Sequence, residues 1–208
     1  MDDNSSCENC EALRAELAEK EQEILSLRAA LKELGRHDVL TSAYNRRTLT
    51  EMLDAELQRA QRTGHPFCFA MVDLDFFKKV NDQYGHPAGD AVLKAFSEAA
   101  TKLLRTVDRF GRMGGEEFGI VLPATWIDQG MIAMQRLHAA VAGVDWSVIA
   151  PGLALTFSGG LTTNAFGDTT ESIIRRAEDA LEQAKQGGRN RTVQLEAALP
   201  DAPPIDLA

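Results

Sequence analysis

Several ingredients are scarce in this chain of 208 residues, and each scarcity excludes something. Cysteine occurs three times, at Cys7, Cys10 and Cys68, an odd and sparse set that is not a disulfide framework. Aromatic residues make up 6%, with two Trp and two Tyr. No apolar run approaches the ~18–20 residues that span a bilayer, and Met1-Asp2-Asp3-Asn4 opens without a basic and apolar leader. These features point to a cytoplasmic protein without a membrane partner. Positive charge is also short: 22 basic residues stand against 31 acidic ones, a net charge of −9. That balance argues against nonspecific binding to nucleic acid or anionic lipid. An anionic small molecule stays open, because a metal ion or a few lysines can override the global field.

What is present divides into three parts. Residues 1–36 contain an acidic helical segment, since residues 1–34 hold nine acids and four bases. Leu13, Leu17, Ile24, Leu27, Leu31 and Leu34 alternate as heptad a and d positions, interrupted by Lys20. A narrow apolar stripe with dense charged flanks favours a parallel coiled coil, and hence a homodimer, over a helix docked on its own domain. Cys10 continues the a positions, and Cys7-Glu8-Asn9-Cys10 doubled in a dimer gives four thiolates. Those suit Zn²⁺ or an interchain disulfide, while a silent terminus is an equal reading. Residues 37–195 form the globular part, and from Glu196 the Ala-, Pro- and Asp-rich end (196–208) reads as a disordered tail.

Within the globular part, helix signals cover about 46–63, 89–105, 126–142 and 170–187, with Asp90 opening the second. Strand-like runs cover about 67–73, 117–122, 153–158 and 192–195. Arg112-Met113-Gly114-Gly115-Glu116-Glu117 reads as a hairpin turn. Together these give an α/β fold with a mixed sheet flanked by helices.

Two acidic constellations stand out. Met71-Val72-Asp73-Leu74-Asp75 delivers two carboxylates at a strand end, with Lys78 nearby. Hard oxygens and an ammonium suit a Mg²⁺–phosphate site, and an N-cap role for Asp75 is the plainer alternative. In Gly114-Gly115-Glu116-Glu117 the glycines let backbone approach a ligand and the glutamates add ligands or a general base, although by itself the motif reads more simply as an ordinary hairpin with solvated acids. If the two lie on neighbouring strands, Asp73 and Glu116 or Glu117 surround one cation. Asn81 and Asp90 bracket a Gly-containing turn and read either as turn and cap residues or as readers of a purine edge, where an Asp carboxylate suits the N1–H and N2–H₂ donors of guanine. Lys185 and Arg189 end a helix with positive charge, which serves either the helix dipole or a phosphate.

These ordered motifs resemble those of GGDEF-domain diguanylate cyclases of bacterial cyclic di-GMP signalling. The resemblance runs from Asp38-Val39-Leu40-Thr41 and Asn45-Arg46-Arg47 through Asp73-x-Asp75-x-Phe77-Lys78-x-x-Asn81-Asp82. It continues in Gly85-His86-x-x-Gly89-Asp90, Arg112-Met113-Gly114-Gly115-Glu116-Glu117-Phe118 and Ala184-Lys185-x-x-Gly188-Arg189-Asn190. It implies a five-stranded sheet related to nucleotidyl cyclases and palm-type polymerases. It further implies condensation of two GTP into cyclic di-GMP by a dimer. Asp73, the Leu74 carbonyl, Glu116 and Glu117 would hold Mg²⁺ or Mn²⁺. Phe77, Lys78, Lys185 and Arg189 would contact the triphosphate, Asn81 and Asp90 the guanine, and Gly114 and Gly115 the α-phosphate region. Glu116 would help deprotonate the attacking hydroxyl. Arg105-Thr106-Val107-Asp108 resembles the family's inhibitory product site. The competing reading is a silent GTP or cyclic di-GMP receptor. The departures are Ser42-Ala43 for Gly-Leu, Gly in Ser158-Gly159-Gly160 for an apolar residue, and Glu178 and Glu182 for Asp and Tyr; they look like packing and local hydrogen-bond positions rather than phosphate or metal contacts.

Overall fold

The computed structural model describes residues 13–27 and 35–197. Two compact units divide the chain, Met1–His37 and Asp38–Ala208. In the first, residues 13–27 are helical (α1), and Leu13, Leu17, Ile24 and Leu27 are all exposed. Lys20, the polar break in the heptad, pairs with Glu23 at 2.9 Å. Cys7, Cys10, Leu31, Leu34 and the tail beyond Ala197 lie outside the described residues, and the zinc expectation lies there with the cysteine pair.

The second unit is a six-stranded sheet rather than five, in the order β1-β3-β4-β2-β5-β6. The strands are β1 (Tyr44–Asn45), β2 (Cys68–Leu74), β3 (Arg109–Gly114), β4 (Glu117–Leu122), β5 (Phe157–Thr163) and β6 (Thr192–Gln194). The extra member is β1, two residues long, parallel to β3 through Tyr44↔Gly111. Each neighbouring pair among the four inner strands is antiparallel, and β6 runs parallel to β5. The helices are α2 (Arg46–Thr63), α3 (Phe77–Tyr84), α4 (His86–Leu103), α5 (Ile127–Ala142) and α6 (Thr170–Gln186). Among the described residues no helix is long and apolar enough to cross a membrane.

β2 shows how sequence builds the layers. All seven of its residues are buried. Cys68, Ala70, Val72 and Leu74 face one core with Phe96 of α4 and Leu137 of α5. Phe69 and Met71 face the other, with Leu53 of α2 and Ile173 of α6. This is a continuous apolar run made two-faced by the pleat. Each fully buried Leu or Phe contributes roughly 1.5–3 kcal/mol. Phe110 stacks on Phe118 at 5.2 Å, and Phe96 meets Phe118 at 5.0 Å.

Three expectations are corrected. The strand placed at 153–158 runs instead from Phe157 to Thr163. A Cβ at Gly160 would collide with the backbone of Ala177 and Leu181. The absent side chain therefore seats α6 directly on β5. α4 opens at His86 with Pro87 in its first turn, not at Asp90, because Pro suits the amides a helix leaves unpaired there. Ser42, which the resemblance put at a packing position in place of glycine, takes the left-handed φ of 59°.

Candidate active site

Asp73 is the last residue but one of β2, and β4 begins with Glu117; the two are directly opposed in the antiparallel register. Directly opposed residues of an antiparallel pair share a face with Cβ atoms about 5 Å apart. The Leu74 amide donates to the Glu116 carbonyl at 3.3 Å, so the hairpin tip is tied to the end of β2. The fold thus places Asp73 and Glu117 on adjoining strands, with Glu116 in the hairpin loop beside them.

The hairpin loop is Gly115-Glu116, with a register shift between Arg112 and Gly114. Gly115 has φ +48°, and a Cβ at Gly114 or Gly115 would meet nothing within 4 Å. Open space thus faces both glycines, as a close-approaching ligand needs. Arg112, which the motif reading left without a role, fixes the tip. Its Nε donates to the Gly115 carbonyl at 2.9 Å, and its Nη1 to Asp38 at 3.2 Å. Burial pushes the Asp38 carboxyl up, but hydrogen bonds from Thr41 and Arg112 outweigh it and hold it below the usual range. The first residue of the globular unit thereby grips the hairpin through one guanidinium.

Lys185 comes from the last turn of α6 and lies 3.0 Å from Asp73 Oδ2. Even so, burial raises the Asp73 carboxyl, with the charges of Glu116 and Asp75 adding to it against Lys185. Burial and then Asp73 raise Glu117, and Glu178 adds to the repulsion. Glu178, assigned from sequence to packing, is thus an exposed acid whose charge reaches the site. Among the described residues no three acidic, His or Cys side chains converge closely enough to form a finished metal cluster. The donor set nonetheless fits a hard divalent cation: carboxylate oxygens of Asp73 and Glu117 that raise one another's energy when charged, with Lys185 beside them.

The turn after β2 is strained. Phe76 has φ 58° and is the N-cap of α3 without a side-chain cap, a conformation uncommon for a non-glycine residue. Its exposed ring lies between Lys79 Nζ, 4.5 Å from the centroid, and the Arg189 guanidinium, 4.8 Å from it. Phe77 is buried and Lys78 exposed. Asp75 is not an N-cap: it accepts from Thr156 Oγ1 at 2.6 Å, Ser158 Oγ at 2.7 Å and the Asn190 amide at 3.0 Å. One helical turn on, Asn81 packs where a Cβ on Gly89 would collide with its side-chain oxygen. Exposed Asp90 is the residue that follows Gly89.

Arg105 and Asp108 stand apart from this cluster, at the opposite end of β3, a distance of roughly 20 Å at ~3.3 Å per residue. Arg105 Nη2 donates to Asp108 at 2.9 Å and to Thr125 Oγ1 at 2.9 Å. They border a cleft of about 310 Å³ that also exposes Gln129, Ile132 and Arg136. Arg136 was missed in the sequence, since a single arginine on a helix face carries no signal. Cys68 is a core residue as expected; burial pushes its thiol up to about 12.

The family of diguanylate cyclase GGDEF domains matches residues 35–191. The chain belongs to the GGDEF family. A diguanylate cyclase of Pseudomonas aeruginosa, DgcP, is 36% identical over 90% of this chain and 26% of its own length. The response regulator PleD of Caulobacter vibrioides is 39% identical over 77% of this chain and 36% of its own length. The chain thus spans about a quarter to a little over a third of these two curated relatives. Among solved structures, the diguanylate cyclase SiaD of Pseudomonas aeruginosa, in complex with its activator SiaC, superposes with a TM-score of 0.75. It is 36% identical, covering 93% of this chain and 74% of that one. The coiled coil and GGDEF domain of DgcB from Caulobacter crescentus, in complex with c-di-GMP, also gives 0.75. It is 28% identical, covering 88% of this GGDEF chain and 99% of that one.

Proposed function

We propose that this chain is a diguanylate cyclase that condenses two GTP into cyclic di-GMP and two pyrophosphates. The observation that carries the reading is the opposition of Asp73 and Glu117 beside Lys185 and an open Gly114-Gly115 tip. Each domain holds one GTP, and two domains face each other. The 3′-hydroxyl oxygen of one nucleotide bonds to the α-phosphorus of the other while the bond to the β-phosphate oxygen breaks. Pyrophosphate leaves, and the hydroxyl proton passes to the Glu116 carboxylate. A second such event closes the ring.

Asp73, the Leu74 carbonyl, Glu116 and Glu117 would hold Mg²⁺ or Mn²⁺. When bound, that ion neutralises triphosphate charge. Phe77 and Lys78 bind the terminal phosphates from the start of α3, and Lys185 and Arg189 bring charge from the other side. Asp90 accepts from guanine N1–H and N2–H₂, with Asn81 beside it. Dimerisation is part of the chemistry, and the exposed heptad leucines of α1 support a coiled coil as its source. Such a tether raises the effective concentration of the partner domain to about millimolar. Cyclic di-GMP binds at Arg105, Asp108 and Arg136 as a product inhibitor, for which the cationic cleft is the support.

The test is turnover. Incubation with GTP and Mg²⁺ yields cyclic di-GMP and pyrophosphate, EDTA stops it, and Glu117→Ala abolishes it with the fold intact. GTP left unconsumed by well-folded wild-type protein at high concentration overturns the reading. Comparison with a chain lacking residues 1–34 measures what the coil contributes.

A further inference from the structure

The loop after α6 is held in an unfavourable shape. Arg189 (φ 63°) and Asn190 (φ 47°) are consecutive non-glycine residues in the left-handed region, a conformation that persists only where the surroundings over-determine it. Three contacts do so. The Arg189 amide donates to the Ala184 carbonyl at 3.0 Å. The Arg189 guanidinium lies over the Phe76 ring. The Asn190 amide donates to Asp75 Oδ2 at 3.0 Å. Two neighbouring residues of the β2–α3 turn, Asp75 and Phe76, thus reach across to two neighbouring residues of this loop.

Asp75 is 5% exposed and its carboxylate is fully engaged. Oδ1 accepts from Ser158, and Oδ2 from Thr156 and Asn190. All three partners are donors, two from the β5 end and one from the loop. Its neighbour Asp73, two residues earlier on the same strand, is paired with Lys185 at 3.0 Å.

We infer that Asp75 is a positioning residue for the nucleotide site: it locks the Arg189–Asn190 loop to the β2–α3 turn and so aims Arg189 at the triphosphate. This rests on the reading of Arg189 as a phosphate contact. A charge at Asp75 is not what the role requires; an acceptor at Oδ2 is. The amide of Asp75→Asn can supply it, with its oxygen accepting from Thr156 and Asn190 and its NH₂ donating to Ser158, whose hydroxyl can turn. Asp75→Ala leaves three donors without an acceptor and frees the loop.

The experiment measures KM for GTP and kcat at fixed protein concentration, with Mg²⁺, for the full chain. Dissociation constants for a non-cyclising GTP analogue and thermal melts accompany the kinetics. Arg189→Ala is expected to raise KM at least tenfold, with the smaller change in kcat. Asp75→Ala is expected to raise KM about as much, Asp75→Asn less than threefold. The Asp75→Ala/Arg189→Ala double variant is expected to resemble Arg189→Ala alone. Should Asp75→Ala not fold, Asp75→Ser takes its place: it admits water to Thr156 and Ser158 but withdraws the acceptor from Asn190. An Asp75→Asn variant as impaired as Asp75→Ala overturns the inference, as does additivity with Arg189→Ala. Unchanged KM and analogue affinity in Arg189→Ala instead overturns the phosphate role of Arg189.

Discussion

α6 supplies the base of two ion pairs that look alike and behave oppositely. Arg176 and Asp168 meet at 2.6 Å with side chains 13% and 7% exposed. Asp168 also accepts from Ser172 Oγ and the Ala165 amide. Burial raises its carboxyl, and these donors more than reverse it, leaving it below the usual range. Lys185 and Asp73, two turns and more along the same helix, meet at 3.0 Å, yet Asp73 stays above it. The first pair is a finished bond that closes the loop after β5. The second has no further side-chain donor among the described residues and is crowded by Glu116 and Glu117, which is how a site differs from a staple: its charge is left for something else to neutralise.

Breaking each pair separates the two meanings. Asp73→Ala is expected to cut turnover at least ~100-fold while the melting temperature holds or rises, because it removes a crowded charge. Asp168→Ala is expected to reverse that pattern. Leaving Arg176 buried without its partner costs about 3 kcal/mol, a fall in melting temperature of roughly 6–12 °C for a domain of this size, with turnover per folded molecule little changed. Equal losses of turnover from both variants, seen in parallel melts and rate assays, would erase the distinction.

The pH dependence sharpens it. Asp73 and Glu117 have raised carboxyls, so their contribution to stability is present below the ordinary carboxylate pKa and lost as pH rises through the raised values. Asp38 and Asp168 are lowered, so theirs is present above the ordinary value of 3.8 and lost as pH falls through the lowered ones. Mg²⁺ should therefore raise the melting temperature at pH 7 by several degrees, and the gain should fade toward pH 4. Asp73→Asn/Glu117→Gln should melt higher than wild type at pH 7 without metal and lose most of the Mg²⁺ response. The smallest effect on catalysis itself belongs to Arg105→Ala. It should raise the cyclic di-GMP concentration for half-inhibition at least tenfold; an unchanged inhibition curve removes that site.

The sequence showed local features and hid long-range ones. Helices at 46–63, 126–142 and 170–187 were legible to within a residue, because apolar spacing and caps such as Asn45 and Thr169 are local. α3 was missed: eight residues between a left-handed Phe76 and Gly85 leave too little periodicity to read. β5 was misplaced because Gly159-Gly160 has low strand propensity, and only the packing of α6 explains it. The acids and glycines of the site announced themselves through spacing. Asp75's true partners did not, since Thr156 and Asn190 lie 81 and 115 residues away. Arg112 was quoted in the motif, but its hold on Asp38, 74 residues earlier, appears only in the fold.

The central claim is most directly tested by titrating Mn²⁺ into the full chain with a non-cyclising GTP analogue and following bound ion by electron paramagnetic resonance. Nucleotide-dependent Mn²⁺ binding in the wild type, reduced at least tenfold in affinity in both Asp73→Ala and Glu117→Ala, is the predicted result. Binding of equal strength in all three proteins would contradict the account.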